Sequence, residues 1–476
     1  MFWLKRDRNS SLNFQQLSLI RITPVAFLGG YRFIKMENSI YYINQKKGCV
    51  NSMNNCPNPG PQQNWIHQPS NTYLVLGDYN ASYDIFPYEV AQETEIVIKG
   101  QYPYARYFSF NIAGEFNLSV TSVVDRQLLP DPGSTNPFLP GANWNAKNRN
   151  YTLKIRFTAP PDGSSHFVPS AGNNIIYAGT LANGVPNRRG FIIYRVYVPS
   201  IGYDTTGGVG LPIITYCPVK KDHRHHPHPS NPANNYSAGQ FCPTNLQQHN
   251  YPNDVNFEDY FNTTTYDNNI SRNRDNGKYA PFCELNWSTL GELSQLFQPE
   301  GNTTYIISDQ IQRNSVQLLY LRWKAPTVPD TYHNMGIVGD ENMRYWSMSF
   351  ITPGGLLGLY TISDFQTIID KKGYVNLVIS FGAPRPSSVT SENGFTWVDA
   401  SQLPRVPLFL FYRNNQASES FPYTAKDLPP GVKVPPNVMG KYYPCGNYVN
   451  PDYFNSCCWE HDYTNSCCDN GREENK

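Results

Sequence analysis

The chain has 476 residues and a mass of 54.1 kDa, a size typical of two or three domains. Charged residues make up 16% and aromatic residues 14% of the chain, which excludes a coiled coil or a helical bundle. The net charge is +1, so no overall field attracts nucleic acid, and no apolar run reaches the roughly 18 residues that a membrane-spanning helix needs.

Residues 1–65 are predicted to be a leader and an irregular arm, because the stretch 51–63 is rich in Pro and Asn. The segment 17–30 is mildly apolar, but Arg21 and Pro24 interrupt it. A secretory signal needs an unbroken apolar stretch of about 7–15 residues, so this start is a poor match to a signal peptide. Export by another route, a misassigned start and a chain that is not exported all remain open.

From residue 72 onward the sequence alternates between strand and turn patterns. Segments rich in β-branched and aromatic residues are separated by clusters of Gly, Pro and Asn, which favours an all-β fold. These segments lie at 73–76, 94–98, 107–110, 151–157 and 191–198. One short helix is predicted near 289–298, since Thr289 and Glu292 have the spacing of a capping box.

Four short motifs occur twice and in the same order, which predicts a duplicated β domain. RYFSF at 106–110 recurs as RYWSM at 344–348, and TSVVD at 121–125 recurs as YTISD at 360–364. FTAP at 157–160 recurs as FGAP at 381–384, and the pair YR at 194–195 recurs at 412–413. The prediction is two tandem antiparallel β-sandwich or jelly-roll lobes, at 66–216 and 300–444. Residues 217–299 form a His/Pro/Asn-rich linker with the short helix, and 445–476 form a Cys-rich tail.

The two RY strands and the Ser/Asp-containing segments that follow them resemble tandem β-sandwich domains of unknown function in bacterial envelope proteins. The stretch 131–138 also resembles an uncharacterised secreted bacterial family. The resemblance covers about 66–216 and 300–444. It implies the same fold and an envelope or secreted location, and it implies no activity.

The repeated arginines point to structural ion pairs. In each RY strand the Arg shares a face with large apolar residues, so Arg106 and Arg344 are predicted to be buried. A buried guanidinium needs a carboxylate partner. The repeated Asp125 and Asp364 are the candidates, each expected to pair with the Arg of its own lobe.

The ten cysteines favour disulfides and an oxidising compartment, although reduced thiols or a zinc knot in a cytosolic protein remain the alternative. The pair Cys49 and Cys56 is the easiest local bridge, and sequence does not fix the remaining connectivity. The other candidates are Cys217, Cys242, Cys283, Cys445, Cys457, Cys458, Cys467 and Cys468.

Four histidines within six residues form the densest cluster of metal-binding side chains: His223, His225, His226 and His228. Two prolines make this segment extended, so a solvated linker that takes up a divalent transition metal weakly is the favoured interpretation. The vicinal cysteines of the tail lack the usual Cys-x2-Cys spacing of zinc ribbons, and disulfides are favoured there as well.

No catalytic constellation emerges from the sequence. The chain has no phosphate-binding loop, no nucleophile elbow and no HExxH motif. Five aromatic residues could stack on sugars, although Tyr-rich strands more often supply the surface and core of a sandwich: Tyr102, Tyr104, Trp144, Tyr197 and Tyr203. The prediction is a non-catalytic secreted or envelope protein that binds a glycan or a partner surface, without a cofactor. The alternatives are a metal-dependent jelly-roll enzyme and a structural component of a surface or virion assembly.

Overall fold

The structure is a computed structural model that describes residues 23–28, 31–35, 65–68, 77–91, 93–114, 119–161, 165–180, 186–219, 283–290, 303–353 and 358–455. Strands dominate this part of the chain, as the composition predicts, and form two β lobes. A separate hairpin of β1 (Thr23–Leu28) and β2 (Tyr31–Lys35) belongs to another compact unit. No helix in the described ranges has the length and apolarity that crossing a membrane requires.

Lobe one contains two five-stranded sheets. The first has the order β3 (Ile66–Gln68), β4 (Ala81–Glu89), β11 (Arg189–Pro199), β6 (Ala105–Gly114) and β7 (Ser119–Val124). The second has the order β12 (Ile213–Pro218), β5 (Thr94–Gln101), β8 (Asn150–Arg156), β10 (Asn174–Tyr177) and β9 (Phe167–Val168). One pair, β8 and β10, is parallel.

Lobe two is built in the same way. Its first sheet has the order β13 (Trp287–Thr289), β14 (Thr303–Ser308), β20 (Phe409–Ala417), β16 (Met343–Ile351) and β17 (Gly358–Ser363). The second has the order β19 (Phe395–Asp399), β18 (Tyr374–Ser380), β15 (Leu318–Lys324) and β21 (Cys445–Val449), with β18 and β19 parallel. One helix, α1 (Pro436–Met439), and several 3-10 turns complete the described part of the chain.

The first sheets of the two lobes have the same strand order, and the second sheets match except that β9 has no counterpart among the described residues of lobe two. In the first sheet of each lobe, an edge strand (β3 or β13) is followed by four further strands. When the second sheet is followed from β12 in lobe one and from β21 in lobe two, its third and fourth strands are the parallel pair. In this register Tyr194 on β11 and Tyr412 on β20 take equivalent positions, opposite Phe110 and Met348 respectively. That the correspondence reflects a duplication stays a prediction.

Each lobe encloses its own core between its two sheets. Lobe one packs Phe108, Phe110 and Tyr194 against Ile96 and Leu153 of the opposite sheet. The core of lobe two includes two tryptophans in edge-to-face contact, Trp323 and Trp346, with ring centroids 5.7 Å apart. Period-2 alternation of large apolar residues along the strands produces these cores.

Two strands of lobe two lie outside the boundaries that the sequence suggested. Trp287–Thr289 pairs with β14 and Cys445–Val449 pairs with β15, although the sequence assigned the first to the linker and the second to the tail. Thr289 ends a strand, and residues 291–298 of the predicted helix lie outside the described residues.

The disulfide Cys283–Cys445 joins the two ends of lobe two across 162 residues of sequence. Closing a loop of this length removes entropy from the unfolded chain, and losing such a bridge typically costs about 2–5 kcal/mol. Cys217 is disulfide-bonded as well. The predicted Cys49–Cys56 bridge and Cys242, Cys457, Cys458, Cys467 and Cys468 lie outside the described residues, as do His223, His225, His226 and His228.

Candidate binding cleft between the lobes

The lobes meet along β6 and β16, the two strands that carry the repeated RY motif. Every residue of both strands is buried. Tyr197 of lobe one and Tyr345 of lobe two meet edge to face, with ring centroids 5.4 Å apart. A loop of lobe two also places Ile337 in the core of lobe one. Apolar contacts thus form part of the interface, and Ile337 extends the core of lobe one across it.

Two ion pairs cross this interface in opposite directions. The Arg106 guanidinium of lobe one lies 2.7 Å from the Asp364 carboxylate of lobe two, and Arg344 of lobe two lies 3.6 Å from Asp125 of lobe one. All four side chains are buried. The prediction that each Arg pairs with the Asp of its own lobe is therefore wrong, because the two lobes exchange their carboxylates.

The exchange follows from the local geometry that both lobes share. Each Asp begins a 3-10 turn directly after the strand that neighbours its RY strand. Its carboxylate accepts a hydrogen bond from the backbone of the RY strand, at 3.3 Å from Phe108 N to Asp125 and 3.4 Å from Trp346 N to Asp364. The carboxylate is thus fixed within its own lobe, and the guanidinium that reaches it comes from the other.

A third ion pair crosses the interface at Asp78, which the sequence did not single out. Its buried carboxylate pairs with Arg413 and accepts hydrogen bonds of 2.8 Å from the hydroxyls of Tyr345 and Ser347. Burial lowers the pKa of Arg413, but the charge of Asp78 and nearby tyrosines raise it well above the usual value. In the sequence, the recurring Tyr-Arg pair at 194–195 and 412–413 was the feature that could have pointed to Arg413.

The backbone opposite each repeated arginine adopts an unusual conformation. Val198, across from Arg106, has φ of 47°, and Gln416, across from Arg344, has φ of 49°. A β-branched residue such as Val rarely occupies this left-handed region, so the position is strained. Because both lobes show it, the strain belongs to the shared strand geometry. After Pro199 the chain leaves β11 and forms the loop 200–205.

This loop covers one side of a cleft of about 440 Å³. Lobe one provides most of its wall, from β3, the start of β4 and the segment after β11. Lobe two contributes two aromatic side chains. The lining residues are His67, Tyr79, Asn80, Ala81, Ser82, Val198, Pro199, Ser200, Ile201, Gly202, Tyr203, Asp204, Thr205, Tyr332 and Phe365.

The lobe-two wall of the cleft is held by Arg106. The Arg106 Nε donates a 2.8 Å hydrogen bond to the Thr331 hydroxyl, and its guanidinium pairs with Asp364. Tyr332 and Phe365 directly follow these two residues, and their rings stack with centroids 4.5 Å apart. The buried ion pair therefore positions the two aromatic side chains that lobe two adds to the cleft.

The opposite wall combines aromatic and polar groups. Tyr203 is 42% exposed and stacks on Tyr104, with ring centroids 4.7 Å apart and an interplanar angle of 3°. Asp204 accepts hydrogen bonds from the Thr206 hydroxyl and from the backbone of Gly208, which lowers its pKa. The Gly-rich segment 206–210 is thus a turn.

Of the five aromatic residues proposed from the sequence for sugar stacking, Tyr203 lines the cleft. Tyr102, Trp144 and Tyr197 are buried and contribute to cores or to the interface. Sequence patterns missed Tyr332 and Phe365, because their place in the cleft depends on contact between the lobes. Among the described residues, no group of three or more His, Cys, Asp or Glu side chains is arranged to hold a metal ion.

Comparison with known proteins yields weak matches. No protein-family model matches the chain, and no curated protein matches it. An uncharacterised protein from Burkholderia cenocepacia has a similar structure, with a TM-score of 0.43, 9% identity and 81% of each chain covered. A protein from Vibrio parahaemolyticus has a TM-score of 0.36 and 12% identity, covering 79% of this chain and 90% of that one. These structures are bacterial, and no activity follows from them.

We predict that replacing Arg106 with Met destabilises the protein by about 3–5 kcal/mol, because Asp364 is left buried without its partner. Urea unfolding measures the effect. The matched control is Arg189→Met, which removes a partly exposed pair with Glu89 and is expected to cost about 1 kcal/mol or less. The double variant Arg106→Met/Asp364→Leu should recover most of the loss. A single variant as stable as the control contradicts the structural role.

We also predict that stability falls as the pH rises from about 4 to about 6. Burial raises the pKa of Asp125 to about 6, although the charge of Arg344 opposes the shift. In this window the folded state binds more protons than the unfolded state, so unfolding becomes easier with increasing pH, by roughly 3 kcal/mol for this group. Urea unfolding at each pH measures the slope. Asp125→Asn should make the slope smaller, and an unchanged slope would contradict the assignment.

Proposed function

We propose that the protein binds a neutral glycan in the cleft between its lobes. The observation that carries the proposal is the lining of the cleft. Aromatic rings from both lobes, Tyr203, Tyr332 and Phe365 among them, share the cleft with neutral polar groups such as Asn80 and Ser200. Sugars present apolar faces and many hydroxyls, and this combination of side chains suits both.

The size and the charge of the cleft support the same ligand class. Its volume of about 440 Å³ lies within the roughly 300–1,000 Å³ of ordinary small-molecule sites. The charged side chains in the lining are the carboxylate of Asp204 and, when it is protonated, His67. A neutral ligand therefore fits better than a polyanion, in agreement with the net charge of +1 for the whole chain.

A secreted or envelope location forms part of the proposal. The Cys283–Cys445 disulfide is typical of proteins in an oxidising compartment. A protein in that location is exposed to extracellular glycans, which are the proposed ligands. The alternatives of a metal-dependent enzyme and a structural component of an assembly gain no specific support from the described residues.

An array of neutral oligosaccharides tests the proposal. We expect wild-type protein to bind a subset of the array, and Tyr203→Ala to weaken that binding about tenfold, equivalent to about 1.4 kcal/mol of contact. Tyr360→Ala is the matched control, since Tyr360 is also 42% exposed but lies outside the cleft. Equal binding by the two variants, or no binding by the wild type, argues against the proposed site.

A further inference from the structure

A histidine and a buried carboxylate form a pair at the wall of the cleft. His67 on β3 lies directly opposite Asp84 on β4, and its Nδ1 is 2.9 Å from the Asp84 Oδ1. The His67 side chain is 48% exposed and lines the cleft, whereas that of Asp84 is 3% exposed. The carboxylate is thus in the interior, and the ring connects it to the cleft.

Asp84 occupies an unfavourable position for a carboxylate. It lies on the strand face that carries Phe86 into the core of lobe one, directly across from Tyr194. Its Oδ2 is buried and has no hydrogen-bond partner. Burial raises the pKa of Asp84, and the contact with His67 opposes that effect. Burying the Asp84 carboxylate in this way costs free energy. Because it also lies beside a cleft, Asp84 is a candidate for a functional role.

Lobe two shows that the fold does not require this pair. In the shared register, the residue across from Tyr412 is Ile306, which takes the place of Asp84. The residue that pairs with Ile306 on the edge strand is Thr289, in the place of His67. Ile306 is buried in the core of lobe two. The same architecture is thus built with an apolar side chain where lobe one has a carboxylate.

We propose that His67 and Asp84 form a hydrogen-bond-accepting dyad that selects a ligand hydroxyl in the cleft. The inference rests on the proposed function and names the polar group that gives it specificity. An ionised carboxylate only accepts hydrogen bonds, so the proton of a neutral His67 ring lies on Nδ1. The other nitrogen, Nε2, is then left as an acceptor on a side chain that lines the cleft.

This tautomer defines the chemistry of the ligand. A neutral imidazole with a free Nε2 accepts a hydrogen bond from a hydroxyl, which sugars carry in abundance. The dyad does not transfer a proton, and no bond is formed or broken. His67 is then a binding residue, and Asp84 is a positioning residue that acts through it.

The first test reads the tautomer in the absence of any ligand. Protein labelled with ¹⁵N-histidine is examined by NMR at pH 8, where histidines are generally neutral. His333 is the internal comparison, because its Nδ1 lies 2.7 Å from Asp330 but both side chains are more than half exposed. We expect His67 to be mainly Nδ1-protonated, more so than His333, and Asp84→Ile, which removes the acceptor, to abolish the difference. A His67 ring protonated on Nε2 overturns the proposal.

The second test measures stability with the residues of lobe two. The double variant His67→Thr/Asp84→Ile is expected to melt at or above the temperature of the wild type, because it removes a buried carboxylate that the fold does not need. A melting temperature clearly below that of the wild type overturns the proposal, since the pair would then be structural.

The third test is binding of the folded double variant to the neutral oligosaccharide array. Loss of at least tenfold in binding, with an unchanged or higher melting temperature, is the expected result, and retained binding overturns the dyad's role. If the wild type binds no oligosaccharide, the proposed function fails. In that case the His67 tautomer and the melting temperature of the double variant still decide whether His67 and Asp84 form a hydrogen-bond acceptor that the fold does not need.

Discussion

The exchange of carboxylates between the lobes is the interaction on which the rest of the structure depends. A buried guanidinium is tolerated when a carboxylate meets it, and here each lobe holds the carboxylate that the other lobe's arginine needs. Arg106 reaches Asp364, and Arg344 reaches Asp125. If the lobes separate, these four charged groups lose their partners together with Asp78 and Arg413, which makes six in all. The ion pairs thus add little to the stability of either lobe by itself, but they specify how the two lobes dock.

The cleft is a consequence of the same contact. Arg106 contacts Thr331 and Asp364, and the next residues in the chain, Tyr332 and Phe365, form the lobe-two wall. Asn80 of lobe one donates hydrogen bonds of 2.8 Å to Ser363 and 2.9 Å to Gln366, beside the same wall. A ligand site made from both lobes is therefore placed by the interface, and its geometry depends on the buried pairs remaining intact.

The sequence predicted the fold well and the site incompletely, for physical reasons. Alternation of apolar residues and the repeated RY strands were sufficient for an all-β chain with two lobes, because these signals are local. The same motifs identified Arg106, Asp125, Arg344 and Asp364. Their pairing could not be predicted, since a motif does not reveal which lobe supplies the partner. Asp78, Tyr332 and the His67–Asp84 pair were missed because their roles arise from contacts between distant segments. The strand register shows that Asp84 of lobe one and Ile306 of lobe two take equivalent positions. The sequence alone did not reveal this equivalence.

The exchanged ion pairs should make the two lobes one cooperative unit, and differential scanning calorimetry of the protein at neutral pH tests this most directly. If the exchanged pairs and the shared apolar interface join the lobes, they unfold in a single transition whose calorimetric and van't Hoff enthalpies agree. Two resolved transitions, each with the enthalpy expected for a single lobe, would show that the lobes fold independently and would contradict the central role of the exchange.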